Sequence, residues 1–201
     1  MSLSPSSSLP VRLLRQVPNA ITVGRVLLVV PTAWYLWQEA YPTALALMAI
    51  AGASDAVDGW VARTFHWQSR FGEVVDPMAD KLLIGTVFVL LTLQGHVPVW
   101  LLLVILGRDL IILAGALVYR GLFGDIEMAP TFVSKSNTAF QILLVLLVLV
   151  SHCGFPWLSP LSHTLVYPFG IVLVALLGIV SGLDYVLIWG RKAWRQAHQI
   201  H

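Results

Sequence analysis

Four aspartates, Asp55, Asp58, Asp76 and Asp80, stand between long apolar runs of a 201-residue chain. A carboxylate is costly to place in such a run, so its presence indicates a functional site. The spacings of three and four residues project each pair from one face of a helix. If the two helices are antiparallel neighbours, the pairs meet and need a counter-charge. Hard divalent cations prefer oxygen ligands, so the pattern predicts a pair of cations, Mg²⁺ or Mn²⁺, held by the four carboxylates.

The residues between the carboxylates fit a phosphate-bearing ligand. Gly59 and Ala62 leave one helix face nearly bare, so a flat ligand can approach the backbone, and Gly72 opens the next helix with equally little bulk. Arg63 offers a fork of donors to phosphate oxygens. Small residues also allow membrane helices to pack closely, but close packing does not account for four aspartates. Paired metals can hold the attacking and leaving oxygens of a phosphoryl transfer, and a nearby carboxylate can take the proton of an alcohol.

The elements that must position these residues are membrane helices. Hydrophobic residues make up 58% of the chain and charged residues 11%, against about 25% charged in soluble domains. Roughly 20 apolar residues span a bilayer, and six runs have about this length. They lie near residues 20–38, 42–66, 72–94, 97–120, 134–152 and 164–189. We therefore expect an all-α integral membrane protein with six transmembrane helices, preceded by a short interfacial helix at 9–17.

The basic residues predict the orientation. Lys and Arg cluster in the loops that six spans place on the amino-terminal side, and the opposite loops around 39–41, 95–97 and 153–163 contain none. Because basic loops mark the cytoplasmic side, the stretch from Asp55 to Asp80, called the acidic stretch below, is expected to face the cytoplasm. The predicted organisation is a disordered lead-in with the interfacial helix (1–19), one membrane domain (20–190) and a basic cytoplasmic tail (191–201). The start lacks the pattern of a signal peptide, which favours a bacterial cytoplasmic membrane.

Read as one motif, the acidic stretch resembles the signature of the CDP-alcohol phosphatidyltransferase family. The shared pattern is Asp55-x2-Asp58-Gly59-x2-Ala62-Arg63-x8-Gly72-x3-Asp76-x3-Asp80. The resemblance implies a six-helix enzyme, a homodimer, two divalent metals and attack by an alcohol on the β-phosphorus of a CDP-linked lipid. It also implies that Asp80 is the general base and that Gly59, Ala62, Arg63 and Gly72 cradle the nucleotide.

Polar residues outside the stretch are candidates for further contacts. Asn19, Thr22 and Arg25 recur every three residues at the start of the first span, where the resemblance favours a nucleotide contact for Asn19 and Thr22. Arg108 and Asp109 lie within a span, and adjacent helical residues do not face each other. We therefore expect separate partners: a phosphate for Arg108, and another helix or a basic residue for Asp109. The candidates for binding phosphate or acceptor are Arg25, Arg108, Arg120 and Lys135.

The acceptor alcohol is suggested by the later part of the chain. Lys135 begins the fifth span among many hydrogen-bonding groups, and this segment with the ending Tyr185 to Lys192 resembles the CMP-forming cardiolipin synthases of the family. The donor would be CDP-diacylglycerol and the acceptor phosphatidylglycerol, with no nucleic-acid partner. Phosphatidylglycerophosphate synthases, which use glycerol 3-phosphate, are the alternative within the family. A membrane cation transporter or a non-catalytic scaffold are alternatives from other classes.

Overall fold

The computed structural model describes residues 17–65, 70–123 and 131–199, and all regular structure within them is helical. Within these ranges there are seven α-helices and one π-helical turn. They are α1 (Val17–Trp37), α2 (Tyr41–Phe65), α3 (Arg70–Leu93), α4 (Val99–Phe123), α5 (Phe132–His152), α6 (Leu158–Leu165), the π turn (Val166–Gly170) and α7 (Ile171–Gln199). The prediction of an all-α protein is confirmed.

The long helices follow the six apolar runs, with ends that agree within a few residues except in the last run. There the short helix α6 and the π turn precede α7, and α7 continues to Gln199 through most of the segment expected to be a separate tail. The predicted interfacial helix at 9–17 lies outside the described residues, apart from Val17.

Three helices are long and apolar enough to cross a membrane among the residues that the structure describes. The stretches are Val99–Val118, Phe132–His152 and Ile171–Arg191. In α2 the described residues contain a shorter apolar stretch, Tyr41–Val57. The length and apolar composition of these helices identify a multi-pass membrane protein. The count of six spans remains a prediction.

Glycine sets the end of α3. Gly95 adopts a φ of +78°, its N–H bonds to the carbonyl of Thr92, and the N–H of His96 bonds to the carbonyl of Leu91. This pair of bonds is the Schellman motif, which satisfies the last carbonyls of a helix. Glu39 has the same left-handed conformation after α1, with a φ of +59°, and turns the chain directly into α2.

Backbone contacts divide the chain into two compact units, Met1–Leu90 and Leu91–His201. In the first unit α1 packs along α2 as a helical hairpin. In the second unit α4 packs on α7, and α5 packs on both α6 and α7. The core of the second unit is apolar along most of α5, where Leu144, Val145 and Val148 are buried, and becomes polar towards the start of that helix.

Candidate active site

One arginine holds two of the four predicted metal-binding carboxylates together. Arg25 of α1 places its Nη1 atom 2.6 Å from Oδ1 of Asp55 on α2 and 2.8 Å from Oδ1 of Asp80 on α3. Two carboxylates that are 25 positions apart in the sequence therefore share one nitrogen. The ion pairs also tie three helices of the first unit to one point.

The burial of the three side chains is unequal. Arg25 is 1% exposed, whereas the side chains of Asp55 and Asp80 are 46% and 48% exposed. A buried guanidinium needs a counter-charge, and two carboxylates supply it. The exposed half of each carboxylate remains accessible to a further ligand, so the arrangement suits a site that receives a cation or a substrate.

The other residues of the predicted site cannot be placed at the level of side chains. The structure assigns their backbone to helices α1 to α4, but their side chains lie outside its described part. These residues are Asn19, Thr22, Asp58, Gly59, Ala62, Arg63, Gly72, Asp76 and Arg120. No group of three acidic, histidine or cysteine residues that could hold a metal occurs among the side chains that are described. Their roles therefore stay predictions.

The partnership of Arg25 with the carboxylates is not among the sequence-based predictions. Arg25 was expected to meet a phosphate, and that contact remains a prediction, but its observed partners are Asp55 and Asp80. A signal was present in the sequence. An arginine flanked by Val26, Leu27 and Leu28 in an apolar helix requires an acidic partner, and the acidic stretch is rich in carboxylates.

A second buried arginine organises the second unit. Arg108 of α4 is 6% exposed. Its Nε and Nη2 atoms donate to Oγ of Ser181 on α7 at 3.2 and 3.0 Å, and Nη2 also donates to Oγ of Ser134 on α5. Gly182 adds no side chain beside the stem of Arg108. The guanidinium thus links three helices.

The expectation of separate partners for Arg108 and Asp109 is wrong. Nη1 of Arg108 lies 2.6 Å from Oδ1 of Asp109. Adjacent positions on a helix do point in different directions, but the arginine stem is long enough for its head to curl back to the neighbouring carboxylate. The basic partner expected for Asp109 is therefore its own neighbour in sequence, and the pair is electrically balanced.

Lys135 and Asp184 have less specific settings. Lys135 lies in the first turn of α5 and its side chain is exposed. Thr131 caps this helix, since its hydroxyl accepts from the N–H of Ser134 at 3.2 Å. Asp184 is half-buried on α7. The structure leaves the exposed ammonium of Lys135 accessible to an anionic ligand.

The model of one protein family, described as CDP-alcohol phosphatidyltransferase, matches residues 15–184. The match includes the whole acidic stretch and both buried arginines. The chain belongs to this family. The resemblance noted in the acidic stretch is thereby confirmed, and the transporter and scaffold alternatives receive no support.

Relatives within the family carry two kinds of name. The human protein "Cardiolipin synthase (CMP-forming)" is 33% identical over 145 residues, which are 64% of this chain and 48% of the human protein. A Bacillus subtilis protein, "CDP-diacylglycerol--glycerol-3-phosphate 3-phosphatidyltransferase", is 29% identical over 187 residues, 84% of this chain and 92% of that protein. A rice chloroplastic protein with the same kind of name is 32% identical over 146 residues, 64% of this chain and 44% of its own length. The chain thus spans about half the length of the human and rice relatives.

Proposed function

We propose that the protein transfers a phosphatidyl group from CDP-diacylglycerol to an alcohol, with phosphatidylglycerol as the acceptor and cardiolipin and CMP as the products. The observation that carries this proposal is the meeting of Asp55 and Asp80 at Arg25, with both carboxylates about half exposed. Family membership supports the reaction class. The names of the relatives support both this acceptor and the alternative, glycerol 3-phosphate.

In the proposed reaction the acceptor hydroxyl attacks the β-phosphorus of CDP-diacylglycerol. A new bond forms from the acceptor oxygen to phosphorus, the bond from that phosphorus to the bridging oxygen breaks, and CMP leaves with the bridging oxygen. Asp80 takes the proton of the attacking hydroxyl as general base. Positioning and charge neutralisation supply most of the rate enhancement in phosphoryl transfer, and Arg25 holds Asp80 in place for this role.

The described carboxylates fit divalent cations. Asp55 and Asp80 supply hard oxygen donors from two helices, which is the ligand chemistry that Mg²⁺ and Mn²⁺ favour. With Asp58 and Asp76 they would hold two cations. Bound there, the cations would neutralise charge on the diphosphate and on the departing CMP.

The remaining contacts of the proposed substrates follow the sequence pattern. Nucleotide contacts are proposed for Asn19, Thr22, Gly59, Ala62, Arg63 and Gly72. Contacts with phosphate or acceptor are proposed for Arg25, Arg108, Arg120 and Lys135. Among these, Lys135 has the exposure that an incoming anionic headgroup needs.

The acceptor is tested by offering purified protein CDP-diacylglycerol with phosphatidylglycerol, glycerol 3-phosphate, inositol phosphate or serine in parallel. We expect CMP release and cardiolipin formation with phosphatidylglycerol, and loss of CMP release when EDTA removes the divalent metal. Phosphatidylglycerophosphate as the main product would establish the alternative acceptor. Absence of CMP with all four acceptors in Mg²⁺ or Mn²⁺ would overturn the proposed reaction.

We further propose that the chain forms a homodimer and crosses a bacterial cytoplasmic membrane six times with both termini inside. In this topology the end of α5 faces away from the cytoplasm and the end of α4 faces it. Cys153, the single cysteine, directly follows α5. Gly121 lies near the end of α4, is exposed and has open space where a side chain would extend.

Thiol labelling tests this topology. A membrane-impermeant maleimide should label Cys153 in intact spheroplasts, whereas the double variant Cys153→Ser/Gly121→Cys should be labelled only after permeabilisation. Burial raises the pKa of the Cys153 thiol, and the thiolate is the reactive form. Labelling of Cys153 should therefore be slow at neutral pH and accelerate in alkaline buffer. The reverse pattern of accessibility would contradict the proposed orientation.

A further inference from the structure

Two buried amide side chains on α5 have polar atoms without partners. Asn137 is 0% exposed and Gln141, one turn further along, is 5% exposed. Among the described residues, Nδ2 and Oδ1 of Asn137 and Nε2 of Gln141 have no hydrogen-bond partner. An unpaired buried polar group costs about 1–3 kcal/mol. The two amides are therefore expected to meet a polar group that the described residues do not supply.

The buried neighbourhood of these amides is polar and contains one ion pair. Ser134 lies one turn before Asn137 on the same buried face and accepts a hydrogen bond from Arg108. The charge of Arg108 is offset by Asp109. On the facing helix α7, a methyl group placed at Gly178 would lie 3.7 Å from Oδ1 of Asn137. Because Arg108 is paired with Asp109, its guanidinium does not by itself make the surroundings of the two amides a site for an anion.

The donor and acceptor pattern indicates the chemistry of the ligand. The unpartnered atoms are two amide nitrogens, which donate, and one amide oxygen, which accepts. An anionic group without a hydrogen cannot donate to the oxygen, and a metal cation cannot accept from the nitrogens. A hydroxyl group, of an alcohol or of a buried water molecule, can do both. Two amides one helical turn apart suit a pair of adjacent hydroxyls, as in a glycerol group.

We propose that Asn137 and Gln141 bind the hydroxyl groups of a glycerol-bearing acceptor. This inference rests on the proposed function, in which both candidate acceptors end in a glycerol group with two adjacent hydroxyls. The first turns of α5 offer a polar approach, because Lys135 and Thr138 are exposed there. Since Asn137 is fully buried, its side chain must rotate to meet the acceptor.

The test removes one hydroxyl from the acceptor and one amide from the protein. The acceptors are phosphatidylglycerol and phosphatidyl-1,3-propanediol, which lacks the secondary hydroxyl. A site that hydrogen-bonds a hydroxyl discriminates strongly against an analogue without it. We expect the wild-type kcat/KM to be roughly tenfold or more higher for phosphatidylglycerol than for phosphatidyl-1,3-propanediol. In Asn137→Leu and Gln141→Leu the ratio of kcat/KM for the two acceptors should fall towards one, and the KM for CDP-diacylglycerol should stay unchanged.

The matched control is Ser162→Ala on α6. Ser162 is 3% exposed, but its hydroxyl donates to backbone carbonyls of its own helix, Leu158 at 2.7 Å and Ser159 at 3.0 Å. This variant should keep the full preference for phosphatidylglycerol. Replacing an unpaired buried amide by an apolar group of similar size costs little stability, so the thermal midpoints of the leucine variants in detergent should stay close to wild type.

The outcomes separate this inference from the proposed function. Suppose that wild-type protein releases CMP with phosphatidylglycerol while the leucine variants keep the wild-type ratio of kcat/KM for the two acceptors. In that case the amides do not bind the acceptor and the inference is wrong. If wild-type protein releases no CMP with any acceptor, the proposed function itself fails. If glycerol 3-phosphate is the active acceptor, the same comparison is made with 3-hydroxypropyl phosphate.

Discussion

Asp80→Asn is expected to lower kcat for CMP release by at least about a thousandfold, because a general base alone contributes about 10²–10⁴ and Asp80 is also a proposed metal ligand. The substitution preserves size. The amide oxygen of asparagine can still accept from Nη1 of Arg25, which lies 2.8 Å from the aspartate oxygen. The local fold should therefore survive while the proton acceptor is lost.

Two measurements separate loss of chemistry from loss of binding. The affinity for CDP-diacylglycerol, measured by calorimetry in detergent, should change only a few-fold in Asp80→Asn. Glu39→Gln removes an acidic charge from the exposed turn between α1 and α2 and should keep wild-type turnover. If Asp80→Asn retained more than a tenth of wild-type turnover, Asp80 would not be the base.

The helices were predictable because apolar runs of bilayer length leave little choice of structure. The π turn was not predictable from the sequence. It lies where the chain passes closely over α5, since a side chain at Gly170 would come 3.0 Å from Cδ1 of Leu144. The local sequence does carry one signal of irregularity, Pro168, because proline has no N–H for a helical hydrogen bond. The close approach to Leu144, 26 positions away, is not encoded locally.

The site was predictable in part. Spacing alone brought the two aspartate pairs to two helix faces, and the structure brings Asp55 and Asp80 to one nitrogen. The identity of that nitrogen depends on how α1 is rotated about its axis, which apolar composition hardly constrains. The same applies to the second unit. The link from Arg108 to Ser134 and Ser181 joins positions 26 and 73 residues apart, and no local pattern encodes it.

Arg25 links the structure to the proposed metals, because it and the cations would neutralise the same carboxylates. Removing its charge in Arg25→Met leaves Asp55 and Asp80 close together without their observed counter-ion. Breaking a fully buried ion pair costs about 3–5 kcal/mol, and half-exposed carboxylates recover part of this through water, so we expect about 2 kcal/mol in EDTA. For a chain of this size, that loss corresponds to a thermal midpoint lower by about 4–8 °C.

Divalent metal should reverse most of this loss. A ligand that binds only the folded state stabilises it more as its affinity rises, and removing a positive charge beside the carboxylates should tighten the binding of Mg²⁺. We therefore expect the difference in thermal midpoint between Arg25→Met and wild type to shrink by at least half at saturating Mg²⁺. Arg25→Lys, which keeps a positive charge, should lie close to wild type in both conditions.

The control for this argument is the other buried arginine. Arg108→Met also removes a buried guanidinium that is paired with a carboxylate, but Asp109 belongs to the second unit and is not among the proposed metal ligands. Its destabilisation should be the same in EDTA and in Mg²⁺. If Mg²⁺ rescued neither variant, Arg25 would be a structural tie like Arg108, and the carboxylates that it holds would not be a metal site. If Mg²⁺ rescued Arg25→Met but not Arg108→Met, the charge of Asp55 and Asp80 would be neutralised both by Arg25 and by the metal.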